Sequence, residues 1–211
     1  MAIQIQGVNG VDVKALTYAN GMAVSFVPRS DQYALSSCSG LIAAAAAANG
    51  CFFAVRNSPG AIKTVYVTQF RVQYTVTTAF TAAVTAGRRL SLYRGTGAAA
   101  AGGTALPTPA PYNPLSHASR ISATMGGDAR IATTGTLTVT GITFETQEIE
   151  SFQLAGLGAA SSLVSFERRY DNGQSNPIVL LPGQLLGLRN PAAMDAAGVW
   201  QVAVDIEWYE L

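Results

Sequence analysis

The chain reads as an all-β protein, an antiparallel β-sandwich or jelly roll with at most one or two short helices. Three observations carry this. Roughly eight to ten segments rich in Val, Ile, Thr, Tyr and Phe recur between Gly and Pro turns. The closing stretch alternates, with Trp200, Val202, Val204, Ile206 and Trp208 on one face and Gln201, Ala203, Asp205, Glu207 and Tyr209 on the other. That period of two marks a strand with one buried side. No longer repeat is visible, which disfavours propellers and solenoids.

The composition fits a chain with a polar but uncharged surface, or one that hides much of its surface against partners. Of its 211 residues, 49% are hydrophobic, enough for a core, and only 12% are charged. The net charge is +1 and the basic pairs Arg88-Arg89 and Arg168-Arg169 stand alone, so no nucleic-acid footprint is expected. Those pairs read as strand-end residues facing water. The apolar run 41–48 is too short to span a bilayer, and residues 1–7 have neither the basic nor the apolar part of a signal peptide. Cys38 and Cys51 leave one disulfide open; free, buried thiols are the preferred reading.

In chain order, residues 1–15 form an N-terminal arm or edge strand, and residues 16–211 a single β-sandwich domain. Ile3 and Ile5 alternate with Gln4 and Gln6, and Val11 and Val13 flank Asp12. Asn20-Gly21 signals a turn into a short strand. The Ala run after Leu41 is either a helix of two or three turns closed by Asn49-Gly50 or an extended low-complexity segment. Residues 51–57 make a short apolar strand. Residues 62–78 make the clearest long one, too long to run without a bulge or bend. Residues 88–94 follow as a strand, and the Gly/Ala/Pro stretch 95–114 as a surface loop. Residues 133–144 give a Thr-rich strand with one wet face. In 177–190, Pro182-Gly183 must break the strand as a bulge, a bend or a turn. The final strand should tie Leu211 into or beside a sheet.

Catalytic chemistry finds little support. The lone histidine, His117, has no nucleophile elbow to serve, and a metal site lacks ligands. Glu145, Glu148 and Glu150, like Asp205, Glu207 and Glu210, read as solvated acids without an apolar pocket. No cofactor is expected.

Several stretches, taken together, resemble auxiliary head proteins of tailed bacteriophages, the cement or decoration proteins. They are the Ala run through Asn49-Gly-Cys-Phe-Phe-Ala-Val-Arg56, the segment Thr78-Ala-Phe-Thr-Ala-Ala-Val-Thr-Ala-Gly87, Gly102-Gly-Thr-Ala-Leu106, Ser119-Arg-Ile-Ser-Ala-Thr-Met125 with Asp128-Ala-Arg-Ile-Ala-Thr-Thr134, and the closing 177–190 with the Trp200 strand. The resemblance implies a non-enzymatic, homotrimeric jelly-roll protein of the virion, assembled in the host cytoplasm. Its partner would be the major capsid protein, with no nucleic acid or membrane. The residues expected to make contact are Ile3, Ile5 and Val8 in the arm and Tyr112 in the loop. The alternative is a receptor- or carbohydrate-binding module of a phage tail or fibre, for which Tyr93, Tyr112 and Tyr170 would be the exposed aromatics.

Overall fold

The computed structural model describes residues 31–42, 46–80, 89–107, 109–111, 128–153, 162–170, 176–194 and 197–211, with four short strands before them. The chain forms two compact units, Met1–Ser30 and Asp31–Leu211. The division expected at residue 15 therefore falls inside the first unit.

In the first unit, β1 (Ile5–Gln6) pairs with β2 (Asp12–Val13), and β3 (Ala15–Tyr18) with β4 (Gly21–Val24). Tyr18 pairs with Gly21, and Asn20 of the expected Asn20-Gly21 turn lies outside the described residues.

The second unit is a two-sheet sandwich in which every pairing is antiparallel. One sheet contains β5 (Gln32–Cys38), β7 (Val65–Thr78), β14 (Ser162–Arg169) and β17 (Val199–Glu210), with β10 (Ala110–Pro111) and β15 (Ile178–Leu180) at its margins. The other contains β6 (Gly50–Arg56), β8 (Arg89–Gly97), β13 (Glu150–Gln153) and β16 (Gln184–Asn190), with β9 (Thr104–Ala105), β11 (Ala129–Ile131) and β12 (Ile142–Phe144) around them. The spatial orders are β5-β17-β7-β14 and β6-β16-β8-β13. Counting these eight strands along the chain gives 1-8-3-6 facing 2-7-4-5, which is the jelly-roll winding. Among the described residues there is no helix.

The core lies between the sheets. Trp200, Val202, Val204, Ile206 and Trp208 are all essentially buried, each apolar side chain of this kind contributing roughly 1.5–3 kcal/mol. Phe52 meets Trp200 edge-on with ring centroids 4.9 Å apart, and Phe53 meets Phe70 at 6.0 Å. The expected irregularity of the long strand is two bulges. Trp208 pairs with Val67 but Glu207 with Gln69, leaving Thr68 unopposed, and Thr77 is likewise unopposed between Val76 and Thr78. The first bulge switches the core-facing residues from Val65 and Val67 to Phe70, Val72, Tyr74 and Val76. Both bulge threonines donate a hydroxyl hydrogen bond across to β17, Thr68 to the Glu207 carbonyl at 3.2 Å and Thr77 to that of Val199 at 3.0 Å.

Two expectations are corrected and one open alternative is decided. The Ala run is not helical where described, which favours its extended reading. Buried Asn190 donates its amide to the carbonyls of Ala46 (3.4 Å), Ala47 (3.0 Å) and Ala192 (2.9 Å). Met194 also donates to the Ala46 carbonyl at 2.8 Å. These bonds satisfy the carbonyls at the end of the run, where Gly50 N also donates to Ala47 at 3.2 Å in a turn. The Thr-rich stretch 133–144 is strand only at β12; Leu137 and Thr138 make isolated bridges to Cys51 and Ala101. The loop expected over 95–114 contributes the end of β8, β9 and β10, and buries Ala100 and Leu106.

Pro182-Gly183 is where the chain leaves one sheet for the other. β15 pairs with β7, and β16 with β6 and β8. Gly183 takes φ +82°, which glycine adopts without strain. Leu211 exchanges backbone hydrogen bonds with Thr64, at 2.8 and 3.0 Å, so the terminal residue is tied beside the sheet.

Candidate functional site

The second sheet is covered on both sides. Five consecutive β6 residues, 51–55, are buried, which one buried face cannot produce. Leu137, Val139, Ile142 and Phe144 pack with Ala100 over Cys51 and Ala54 on its outer side. The Phe144 ring rests on two glycines. A Cβ at Gly187 would lie 2.6 Å from Phe144 Cε1, and one at Gly95 3.1 Å from Cδ1.

Beside this layer opens a groove of about 540 Å³. Val139, Ile142 and Phe144 give it apolar wall, while Asn49, Thr143, Glu145, Thr146 and Arg189 bring polar groups to it. Arg189 is fixed on three sides. Its guanidinium carbon stands 4.1 Å from the Phe144 ring centroid and 5.3 Å from that of Tyr93, within cation–π range. Its Nε and Nη2 donate to the Asn49 carbonyl at 3.3 and 3.0 Å. Asn49 has φ +66°, the one non-glycine at positive φ among the described residues.

The neighbouring charges are paired. Arg94 donates to Glu145 at 2.9 Å and Arg89 to Glu148 at 2.7 Å. The Tyr93 hydroxyl also donates to Glu148, at 2.9 Å. Burial, then that bond, holds the Tyr93 pKa above its ordinary value. Burial pushes the Cys51 thiol up to about 12, against the opposing charge of Arg189. Among the described residues no carboxylate pairs with Arg189, so the groove carries one uncompensated positive charge.

A second feature lies at one end of the first sheet. Val179 pairs with Tyr66, and Tyr66 with Tyr209, whose rings stack with centroids 4.8 Å apart. Alternation turns Val179 and Tyr66 away from the core, as their strand neighbours Leu180 and Val65 are buried, whereas Tyr209 is itself buried, 5% exposed. One row further on, Leu181 follows Leu180 and Leu211 pairs with Thr64. Ile62 is 87% exposed, Leu211 65% and Leu181 50%, at the margin of that tyrosine pair. Clustered apolar exposure of this kind marks a contact surface.

Of the residues expected to make contact, Ile5 lies on β1, and Ile3, Val8 and Tyr112 lie outside the described residues, as does His117. Tyr93 and Tyr170 are buried, 7% and 6% exposed, and do not offer exposed rings. Both thiols are free as expected, but Cys38 is exposed and only Cys51 buried. Among the described residues no three His, Cys, Asp or Glu gather as a metal site, and no helix is long and apolar enough to cross a membrane. Arg189, Glu145, Ile62 and Leu181 were not anticipated. The available signal was Arg189 standing as the one charge in the apolar stretch 177–190. No family model, curated protein or solved structure matches the chain.

Proposed function

We propose that this chain is a structural virion protein, a cement or decoration protein that binds the outer surface of a bacteriophage capsid as a homotrimer and clamps neighbouring major capsid subunits. In this reading it is not an enzyme and takes no cofactor. The observation that carries it is the apolar exposure of Ile62, Leu181 and Leu211 beside half-buried Tyr66. Such a surface gains from being covered. Low charge over the whole chain and the jelly-roll winding agree with it. Many weak contacts on a lattice would supply avidity. The tail-fibre alternative relied on exposed aromatics, and two of the three named are buried.

The test is mass in solution by light scattering, with co-sedimentation on expanded capsids. The wild-type chain is expected to be oligomeric and to decorate capsids. The exposed double substitution Ile62→Asp with Leu181→Asp should keep the fold and lose one or both contacts. A stable monomer that ignores capsids overturns the proposal.

A further inference from the structure

The geometry points to the Arg189 groove as a binding site for an acidic sugar, a ring bearing one carboxylate beside free hydroxyls, as in a uronic acid. The site stands apart from the capsid reading and does not depend on it.

Arg189 is the carboxylate anchor. Its Nε and Nη2 are spent on the Asn49 carbonyl, and among the described residues its Nη1 makes no hydrogen bond. The rings of Phe144 and Tyr93 hold the guanidinium in place before any ligand arrives, so little side-chain entropy remains to be lost on binding. The strained backbone at Asn49 fits this role, since its carbonyl is what fixes Arg189.

Glu145 selects among anions. Its Oε1 accepts from Arg94, and its Oε2 has no hydrogen bond among the described residues. A second negative charge in the groove would meet this carboxylate. A sugar hydroxyl would donate to it. The exposed Thr143 and Thr146 hydroxyls and the Asn49 amide add donors and acceptors at the rim. Val139 and Ile142 offer apolar surface for the C–H face of a ring. A volume of about 540 Å³ suits a small molecule, such sites spanning about 300–1,000 Å³. Ring stacking contributes little, because Phe144 is held between Arg189 and the Gly95–Gly187 bed. Recognition therefore depends on the carboxylate, and neutral sugars should bind poorly.

The experiment is saturation-transfer NMR on the full chain, with glucuronic acid, glucose and the dipeptide Glu-Glu as separate probes. Glucuronic acid is expected to bind at least about tenfold more tightly than glucose, the worth of a hydrogen bond to a charged group. Arg189→Met should abolish that preference. Thr146→Val, an exposed change that leaves the fold alone, should weaken glucuronic acid about twofold to fivefold. Glu145→Gln, which removes a negative charge and keeps an acceptor oxygen, should strengthen Glu-Glu, the more negative ligand, more than it strengthens glucuronic acid. Equal binding of glucose and glucuronic acid, tighter binding of Glu-Glu than of glucuronic acid to the wild type, or no detectable glucuronic acid binding overturns the assignment.

Discussion

Replacing Asp128 by Ala should be the most damaging single change away from the inter-sheet core. The Asp128 side chain is wholly buried and that of Arg56 is 12% exposed. Arg56 Nε and Nη2 each reach Asp128 Oδ1 at 2.8 Å, and Ser58 donates to the other oxygen. Arg56 Nη1 also donates to the Gly97 carbonyl at 3.1 Å, tying the ends of β6 and β8 to the start of β11. At this separation the gross attraction is about 6 kcal/mol for an effective dielectric near 20, and desolvation of two ions offsets much of it. Removing one partner is different, because it strands a largely buried guanidinium; such losses cost about 3–5 kcal/mol. For a domain of this size, each kcal/mol moves Tm by about 2–4 °C, so a fall of roughly 6–20 °C is expected. Urea unfolding followed by the fluorescence of buried Trp200 and Trp208 reads the loss as a lower midpoint at unchanged slope. Adding Arg56→Met and Asp128→Leu together should recover most of it, since an apolar pair leaves no stranded charge. A loss below about 1 kcal/mol for Asp128→Ala, or a double variant as poor as the sum of the two single ones, refutes the reasoning.

Two further changes probe the layer over the second sheet. Gly187→Ala places a methyl group 2.6 Å from Phe144 Cε1; the ring must lift, at a cost of about 1–3 kcal/mol measured by urea midpoint, and Arg189 loses one of its cation–π faces. In the native protein a thiol reagent should label Cys38 alone, with Cys51 reacting only after unfolding, as counted by mass spectrometry. The Cys51 thiol, held protonated up to about 12 against an ordinary 9.0, also sets an alkaline limit. The unfolded chain gives up this proton first as pH rises, so its contribution is complete below pH 9 and shrinks between about 9 and 12, by at most ~1.4 kcal/mol per pH unit. Unfolding midpoints at pH 8 and 10.5 should differ less in Cys51→Ala than in the wild type, and an equal difference in both would contradict the burial.

The sequence revealed what depends on local period and turn chemistry. The β17 alternation needed no tertiary information, because one buried face writes itself as every second residue. The long strand announced a bulge by its length. Its place was also written there, in apolar residues moving from odd positions at Val65 and Val67 to even ones from Phe70. The Ala run could not be decided from the sequence because propensity is a weak prior, and the carbonyls of Ala46 and Ala47 answer to Asn190, more than 140 residues away. Tyr93 and Tyr170 sit beside Gly- and Asn-rich segments that read as exposed, yet Tyr93 lies beneath Arg189 and both are buried. The groove was illegible for the same reason. Asn49, Tyr93, Phe144 and Arg189 come from four separate segments, and only the pairing of β12, β8 and β16 brings three of them side by side.

The placement of these features bears on how one chain could serve two contacts. The apolar corner lies at one end of the β5-β17-β7-β14 sheet, beyond its strand ends, and the groove on the outer side of the β6-β16-β8-β13 sheet. Arg94 links the two, donating to Glu145 at 2.9 Å and to the Val179 carbonyl at 3.4 Å. Ile62, Leu181 and Leu211 do not line the groove, so burying them against a neighbour would not fill it, although Arg94 touches both regions. The energetics differ too. The corner gains from loss of apolar surface and should tolerate salt, whereas the groove depends on one carboxylate–guanidinium contact at a solvent-open site and should weaken as ionic strength rises. Raising salt should therefore separate the two activities in a single preparation, with oligomer mass holding while glucuronic acid saturation falls.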